Sequence, residues 1–259
     1  MPSVFALAGS AWNFYRKQPA LNGVLVWMLI FPSSLMNILS RVFGPVKPDA
    51  ILAPFEGSIP FSPQSLLLVL PAYLILAVIT IWGVAAILIS AKRTLETRAG
   101  RSRTSFKTLR REAVPFILPL LLTGVLRSCF TLLWGLLLIV PSMVYAIRTS
   151  FYNIVVVGEH TAYRAALRRS KDMVRGRTWR VFFYLLAFAI FFFGPAALLS
   201  TLLSIVVNTV ILSGMSTGLI FLADVIGAVF MSFATILFLL ASVELYAELK
   251  KMKPIQVDL

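Results

Sequence analysis

The chain has 259 residues, 59% of them hydrophobic and only 13% charged, yet it carries a net charge of +14. That charged fraction is about half the ~25% usual for a water-exposed domain, which excludes a soluble fold of this size and the nucleic-acid partner its charge would otherwise suggest. Several apolar runs exceed the ~18 residues that mark a transmembrane helix, so an integral membrane protein is expected, as a single domain over 1–259.

Residues 3–18 predict a short amphipathic helix suited to the bilayer interface, because Phe5, Ala8, Trp12 and Tyr15 recur at spacings of three and four. Arg16 and Lys17 follow this stretch instead of preceding it. No small-residue cleavage site comes after them, so the first long apolar segment reads as an uncleaved anchor. That first span covers about 20–39, with a bend expected at Pro32-Ser33-Ser34. Five prolines and two glycines make 41–64 a loop. The second span covers about 65–90 and ends at 92–112, a segment too basic to enter lipid.

The apolar stretch 113–157 is 45 residues long. As one helix it would reach about 68 Å, over twice the ~30 Å hydrocarbon thickness. A break at Pro141-Ser142 divides it into a third span at 113–140 and a short fourth at 142–157. Charge parity favours that division. Twenty of the 24 Lys and Arg residues fall in four clusters: Arg16/Lys17, Lys92 to Arg111, Arg164 to Arg180, and Lys250 to Lys253. Two crossings within 113–157 place all four on one face, the cytoplasmic one by the positive-inside rule. The fifth and sixth spans follow at about 181–207 and 218–243, the fifth interrupted by Gly194-Pro195. The expected fold is an all-α polytopic bundle of about six transmembrane helices with both termini cytoplasmic. Amphipathic helices at the N-terminus and at 161–176 accompany it.

Within 161–176, Arg164, Arg168, Lys171 and Arg175 are spaced 4, 3 and 4 and share one helical face, while Tyr163, Ala166, Leu167, Ser170 and Val174 occupy another. A basic amphipathic helix suits an anionic membrane surface or a lipid headgroup phosphate. Three charges fall inside spans: Arg127, Arg148 and Asp224. Buried charges in lipid cost several kcal/mol unless paired, so an ion pair of Asp224 with Arg148 or Arg127 is expected, either as a clamp or as a polar site. Cys129 and His160 are the only residues of their kinds, which leaves no Cys/His zinc set. No nucleophile–base arrangement or acidic cluster is apparent. No catalytic residue, metal or cofactor is expected.

The stretch 140–181 carries Pro141, Arg148, Ser150, Phe151, Val156, Glu159, Ala166, Leu167, Ser170, Arg175, Gly176, Trp179 and Val181 in a distinctive order. In this it resembles the membrane domain associated with glycerophosphodiester phosphodiesterases and the related YciC-like bacterial inner-membrane proteins. Ser10-Ala11-Trp12 followed by Tyr15-Arg16-Lys17 is similar to that family's opening. Ser142 and Asn153 depart from it, standing where Gly and often Pro occur. The resemblance implies a roughly six-span helical domain in a bacterial or archaeal cytoplasmic membrane. It does not carry phosphodiesterase activity over, because in that family catalysis belongs to a separate soluble domain and this sequence shows none before Leu259.

The leading expectation is a non-enzymatic inner-membrane protein that organises anionic lipids or membrane-protein partners through its basic face. A small-solute or lipid transporter using Arg127, Arg148 and Asp224 is the alternative. A membrane-embedded lipid-modifying enzyme ranks third.

Overall fold

A computed structural model describes residues 2–43, 63–96, 105–212 and 218–252. Of the expected loop at 41–64, residues 41–43 and 63–64 are helical and 44–62 lie outside the described residues. Every regular element among the described residues is helical. In chain order they are α1 (Val4–Lys17), α2 (Ala20–Val24), a π-helical turn (Leu25–Ile30), α3 (Phe31–Phe43), α4 (Pro63–Glu96), α5 (Phe106–Leu137), α6 (Ile139–Arg148), α7 (Tyr152–Glu159), α8 (Tyr163–Val174), α9 (Thr178–Leu212) and α10 (Gly218–Lys251). Six segments are long and apolar enough to cross a membrane: Ala20–Ser40, Val69–Arg93, Phe106–Leu137, Ile139–Glu159, Thr178–Val206 and Phe221–Lys251. The chain is an all-α, multi-pass membrane bundle.

Local chemistry explains the boundaries. Ser3 caps α1, its Oγ accepting the Ala6 N–H at 3.2 Å. Arg16 and Lys17 sit in the last turn, where positive charge meets the negative end of the helix dipole. The face of α1 buried in the bundle is Leu7, Ala8 and Ala11, while Phe5 and Trp12 of the expected interfacial stripe are exposed. These aromatics also reach neighbouring helices: the Phe5 ring meets Phe191 edge-on, and Trp12 and Tyr15 both meet Phe233. Tyr184 Oη donates to the Pro2 carbonyl at 2.8 Å, so α1 is fastened to α9.

The bend expected at Pro32 is a π-helical turn just before it. Proline has no N–H and its ring crowds the carbonyl four residues earlier, here Met28. Widening the preceding turn relieves that clash, and the Phe31 N–H then reaches back five residues to Val26 O. Gly83 of α4 makes room for this segment, since a Cβ there would lie 2.8 Å from Met28 Cβ.

The fourth span differs from expectation in two ways. The break after α5 is at Leu138, which is extended (φ −159°, ψ 135°), and Pro141 lies in the first turn of α6, where its missing N–H costs nothing. The segment is also longer than 142–157, running Ile139–Glu159, with a break at Thr149–Phe151. Its contacts step down α5 in antiparallel order: Ser142 Oγ donates to Thr131 O, Arg127 meets Ala146 and Thr149, Tyr152 Oη faces Gly124, and His160 faces Phe116. Twenty-one residues would span about 32 Å as one straight helix, matching the bilayer core.

The helix α5 starts earlier than expected, at Phe106. Its basic first turns are held by tertiary contacts that the charge count does not show. Arg93 pairs with Glu112, and Trp82 Nε1 donates to Arg110 O at 2.8 Å.

Candidate functional site

The break between α6 and α7 gathers a cluster of polar contacts inside the bundle. A helix that ends inside protein must find partners for its last four carbonyls. Here each has one. Tyr145 O accepts from the Thr149 N–H and hydroxyl, Ile147 O from the Ser150 N–H, Arg148 O from the Ser170 hydroxyl at 2.9 Å, and Ala146 O from Arg127 Nη2 at 3.1 Å. On the α7 side, the Phe151 N–H donates to Ser170 Oγ at 3.2 Å.

This accounting explains Arg127. Its Nε donates to Thr149 Oγ1 at 3.0 Å, and its guanidinium lies 5.3 Å from the centre of the Tyr152 ring. The cation therefore sits at the negative end of α6 and caps it. The expected Asp224 ion pair is not made: among the described residues, none of the ion pairs joins Asp224 to Arg127 or Arg148. Arg148 ends α6 with its Nε 3.3 Å from Thr178 Oγ1 at the start of α9. It shares a pocket with Arg177 and Arg180 and so belongs to the 164–180 basic cluster.

The helix α8 is docked, not loosely adsorbed. Ala166, Leu167, Ser170, Met173 and Val174 are buried; four of these belong to the expected face, Met173 does not, and Tyr163, the fifth expected there, is exposed. Ser170 bolts it to the α6–α7 break, and Thr123 Oγ1 accepts the Tyr163 N–H at 2.9 Å. Arg164, Arg168 and Arg175 are exposed on the opposite side. Lys171, the fourth member of the expected stripe, is half-buried and turns toward α6, its Nζ 4.4 Å from the centre of the Tyr145 ring.

Glu159 is the residue that sequence reasoning placed only as part of a resemblance and to which it gave no role. Its Oε2 accepts from Arg169 Nε at 2.9 Å, and its Oε1 from Tyr246 Oη at 2.9 Å and from Lys250 Nζ at 3.3 Å. One carboxylate thereby joins α7, α8 and α10, and this contact pushes the Arg169 guanidinium above its usual range. The available signal was a single acid at the inner end of a span, facing three basic clusters. Beside it a cavity of about 310 Å³ opens between α4, α7 and α10, with Leu88, Val157 and Val243 on its walls and Lys92, Lys250 and Lys251 among its polar lining.

The chain matches no family model, no curated protein and no solved structure. Among the described residues no group of three or more His, Cys, Asp or Glu is placed to hold a metal ion. What the arrangement offers chemically is positive charge, held rigidly, next to apolar surface.

Proposed function

We propose that this is a non-enzymatic protein of a bacterial or archaeal cytoplasmic membrane, with both termini cytoplasmic, whose basic face engages anionic lipid headgroups and organises lipids or membrane-protein partners there. The observation that carries the reading is the docking of α8. Its inner face is buried and bolted at Ser170, so Arg164, Arg168 and Arg175 are presented outward together. Pre-organised cations lose less freedom when they bind than cations on a mobile loop. A kinship with the membrane domain of glycerophosphodiester phosphodiesterases accords with this, since Arg148, Glu159 and Ser170, which carry the resemblance, also build the joint that holds α8. The transporter alternative drew on one polar site made by Arg127, Arg148 and Asp224; among the described residues Arg127 instead caps α6, and Arg148 turns to Thr178.

The test is the thermal stability of the purified chain in neutral detergent with added lipid. Phosphatidylglycerol is expected to raise the melting temperature more than phosphatidylcholine, with the gap closing at high salt as exposed charges are screened. Replacing Arg164, Arg168 and Arg175 together by Gln should shrink the gap. Equal stabilisation by the two lipids at low salt would refute the proposal.

A further inference from the structure

The pocket that collects Arg148 has a volume of about 580 Å³ and is lined by Val144, Arg148, Gly176, Arg177, Thr178, Trp179 and Arg180. Three guanidiniums and no carboxylate line it. Among the described residues none of the three forms an ion pair. Arg148 uses Nε on Thr178 Oγ1, which fixes the side chain while leaving its two Nη groups to face a ligand. Arginine's planar fork fits phosphate oxygens in pairs. Like charges gathered this closely repel one another, and an anion between them removes that cost.

The surroundings select the source of the phosphate. From the pocket wall at Trp179, an exposed apolar stripe runs down α9 through Phe183, Leu186 and Ile190, at spacings of 4, 3 and 4. Trp179, Phe183 and Ile190 are 60%, 62% and 65% exposed. On the facing helix the half-buried Val144 lines the pocket, and Val140, one turn farther from it along α6, is exposed. Arg148 is at the end of α6 and Thr178 at the start of α9, so both apolar banks lead away from the cations in the same direction. A free phosphate has no use for such banks. An acyl chain does, and a tryptophan at the junction of polar and apolar surface suits the headgroup level.

We infer that Arg148, Arg177 and Arg180 form a headgroup site for one anionic phospholipid, with its phosphate among the three guanidiniums and an acyl chain along the Trp179–Phe183–Ile190 stripe. A phosphate monoester, with up to two negative charges, is the preferred headgroup because it matches three cations better than a singly charged diester. This site rests on the reading that the basic face meets a bilayer. It differs in being saturable and in using residues outside the α8 stripe.

The experiment measures binding of dioleoyl phosphatidic acid, dioleoyl phosphatidylglycerol and inorganic phosphate to the purified full chain in neutral detergent, by native mass spectrometry and thermal shift. One phosphatidic acid should be retained per chain, in preference to phosphatidylglycerol, with inorganic phosphate failing to displace it. Arg148→Gln with Arg177→Gln should weaken that binding by at least about tenfold, as loss of bidentate charged contacts does. Should that double variant not fold, Arg180→Gln and Arg148→Lys report the same loss more mildly. Phe183→Ser should weaken lipid binding without changing the preference for the monoester.

Changing Arg164, Arg168 and Arg175 to Gln should leave the saturable lipid in place and remove only the salt-sensitive remainder. Wild-type retention in folded pocket variants would overturn the site while sparing the broader reading. Full displacement by inorganic phosphate would overturn the lipid assignment. No preference for anionic lipid in any of the proteins would overturn both.

Discussion

The tip of the α5–α6 hairpin and the helix α7 are drawn from the same 45-residue apolar stretch, yet they have opposite surroundings. Around the turn at Leu138, Leu132, Leu136, Leu137, Ile139 and Val140 are all exposed, Leu136 by 86%. One helix farther on, Ile154, Val155, Val156 and Val157 are all buried. Hydropathy does not separate the two, because hydrocarbon and protein interior are both apolar. Polar groups separate them. Around α7 the backbone is broken: the break's own Thr149 and Ser150 serve Tyr145 O and Ile147 O, while Arg127 of α5 and Ser170 of α8 serve Ala146 O, Arg148 O and the Phe151 N–H. At the hairpin tip the Leu138 N–H goes to Trp134 O and the turn closes on itself. The α7 side is built like the core of a soluble protein, and the tip like a surface whose solvent is lipid.

Arg127 is the strongest way to break that contrast. Arg127→Met keeps the bulk of the side chain but removes the two charged hydrogen bonds to Ala146 O and Thr149 Oγ1 at the end of α6 and the cation above Tyr152. Hydrogen bonds from charged groups are worth about 1.5–3 kcal/mol each, so a loss of about 3 kcal/mol is expected, read as a fall in melting temperature in neutral detergent. Arg127→Lys should recover part of it, because an ammonium still suits the negative end of a helix. An unchanged melting temperature for the Met variant would mean that the α6 end is not held as described.

Ser170 comes next. Ser170→Ala deletes one hydroxyl that both donates to Arg148 O and accepts from the Phe151 N–H. Two buried backbone groups are left without partners, at about 1–2 kcal/mol after local relaxation. The same change loosens α8, so hydrogen exchange across 163–174 should speed up relative to α9 and α10. Faster exchange spread evenly over the whole chain would argue against a local joint.

The sequence carries the apolar segments and their number because composition and length suffice for that. It carries the inner face of α8 because a period of 3.6 fixes which side chains share a side. It does not carry the surroundings of Arg148. The fourth span begins at Ile139, three residues before the expected start, and the arginine is met by Thr178, thirty positions farther along the chain. Nor does it carry the role of Glu159, whose partners Arg169, Tyr246 and Lys250 lie up to 91 positions away. The early start of α5 was hidden for the same reason: Arg93–Glu112 and Trp82–Arg110 are contacts between helices, and a charge count along one helix sees only the unfavourable half of each.

The smallest expected effect sharpens the comparison most. Leu136→Ala removes three carbons from the most exposed large side chain at the hairpin tip. Were that leucine in a packed core, the change would cost about 2–5 kcal/mol through lost contacts and a cavity. Facing detergent or lipid, it leaves no cavity, because hydrocarbon closes over the smaller side chain, and the expected change is within about 0.5 kcal/mol. Val155→Ala on α7 serves as the internal reference and should cost more despite deleting fewer atoms, since Val155 is fully buried. If Leu136→Ala instead lowers the melting temperature as much as Val155→Ala does, the hairpin tip is covered by protein. Cross-linking in the native membrane would show whether that cover is a second copy.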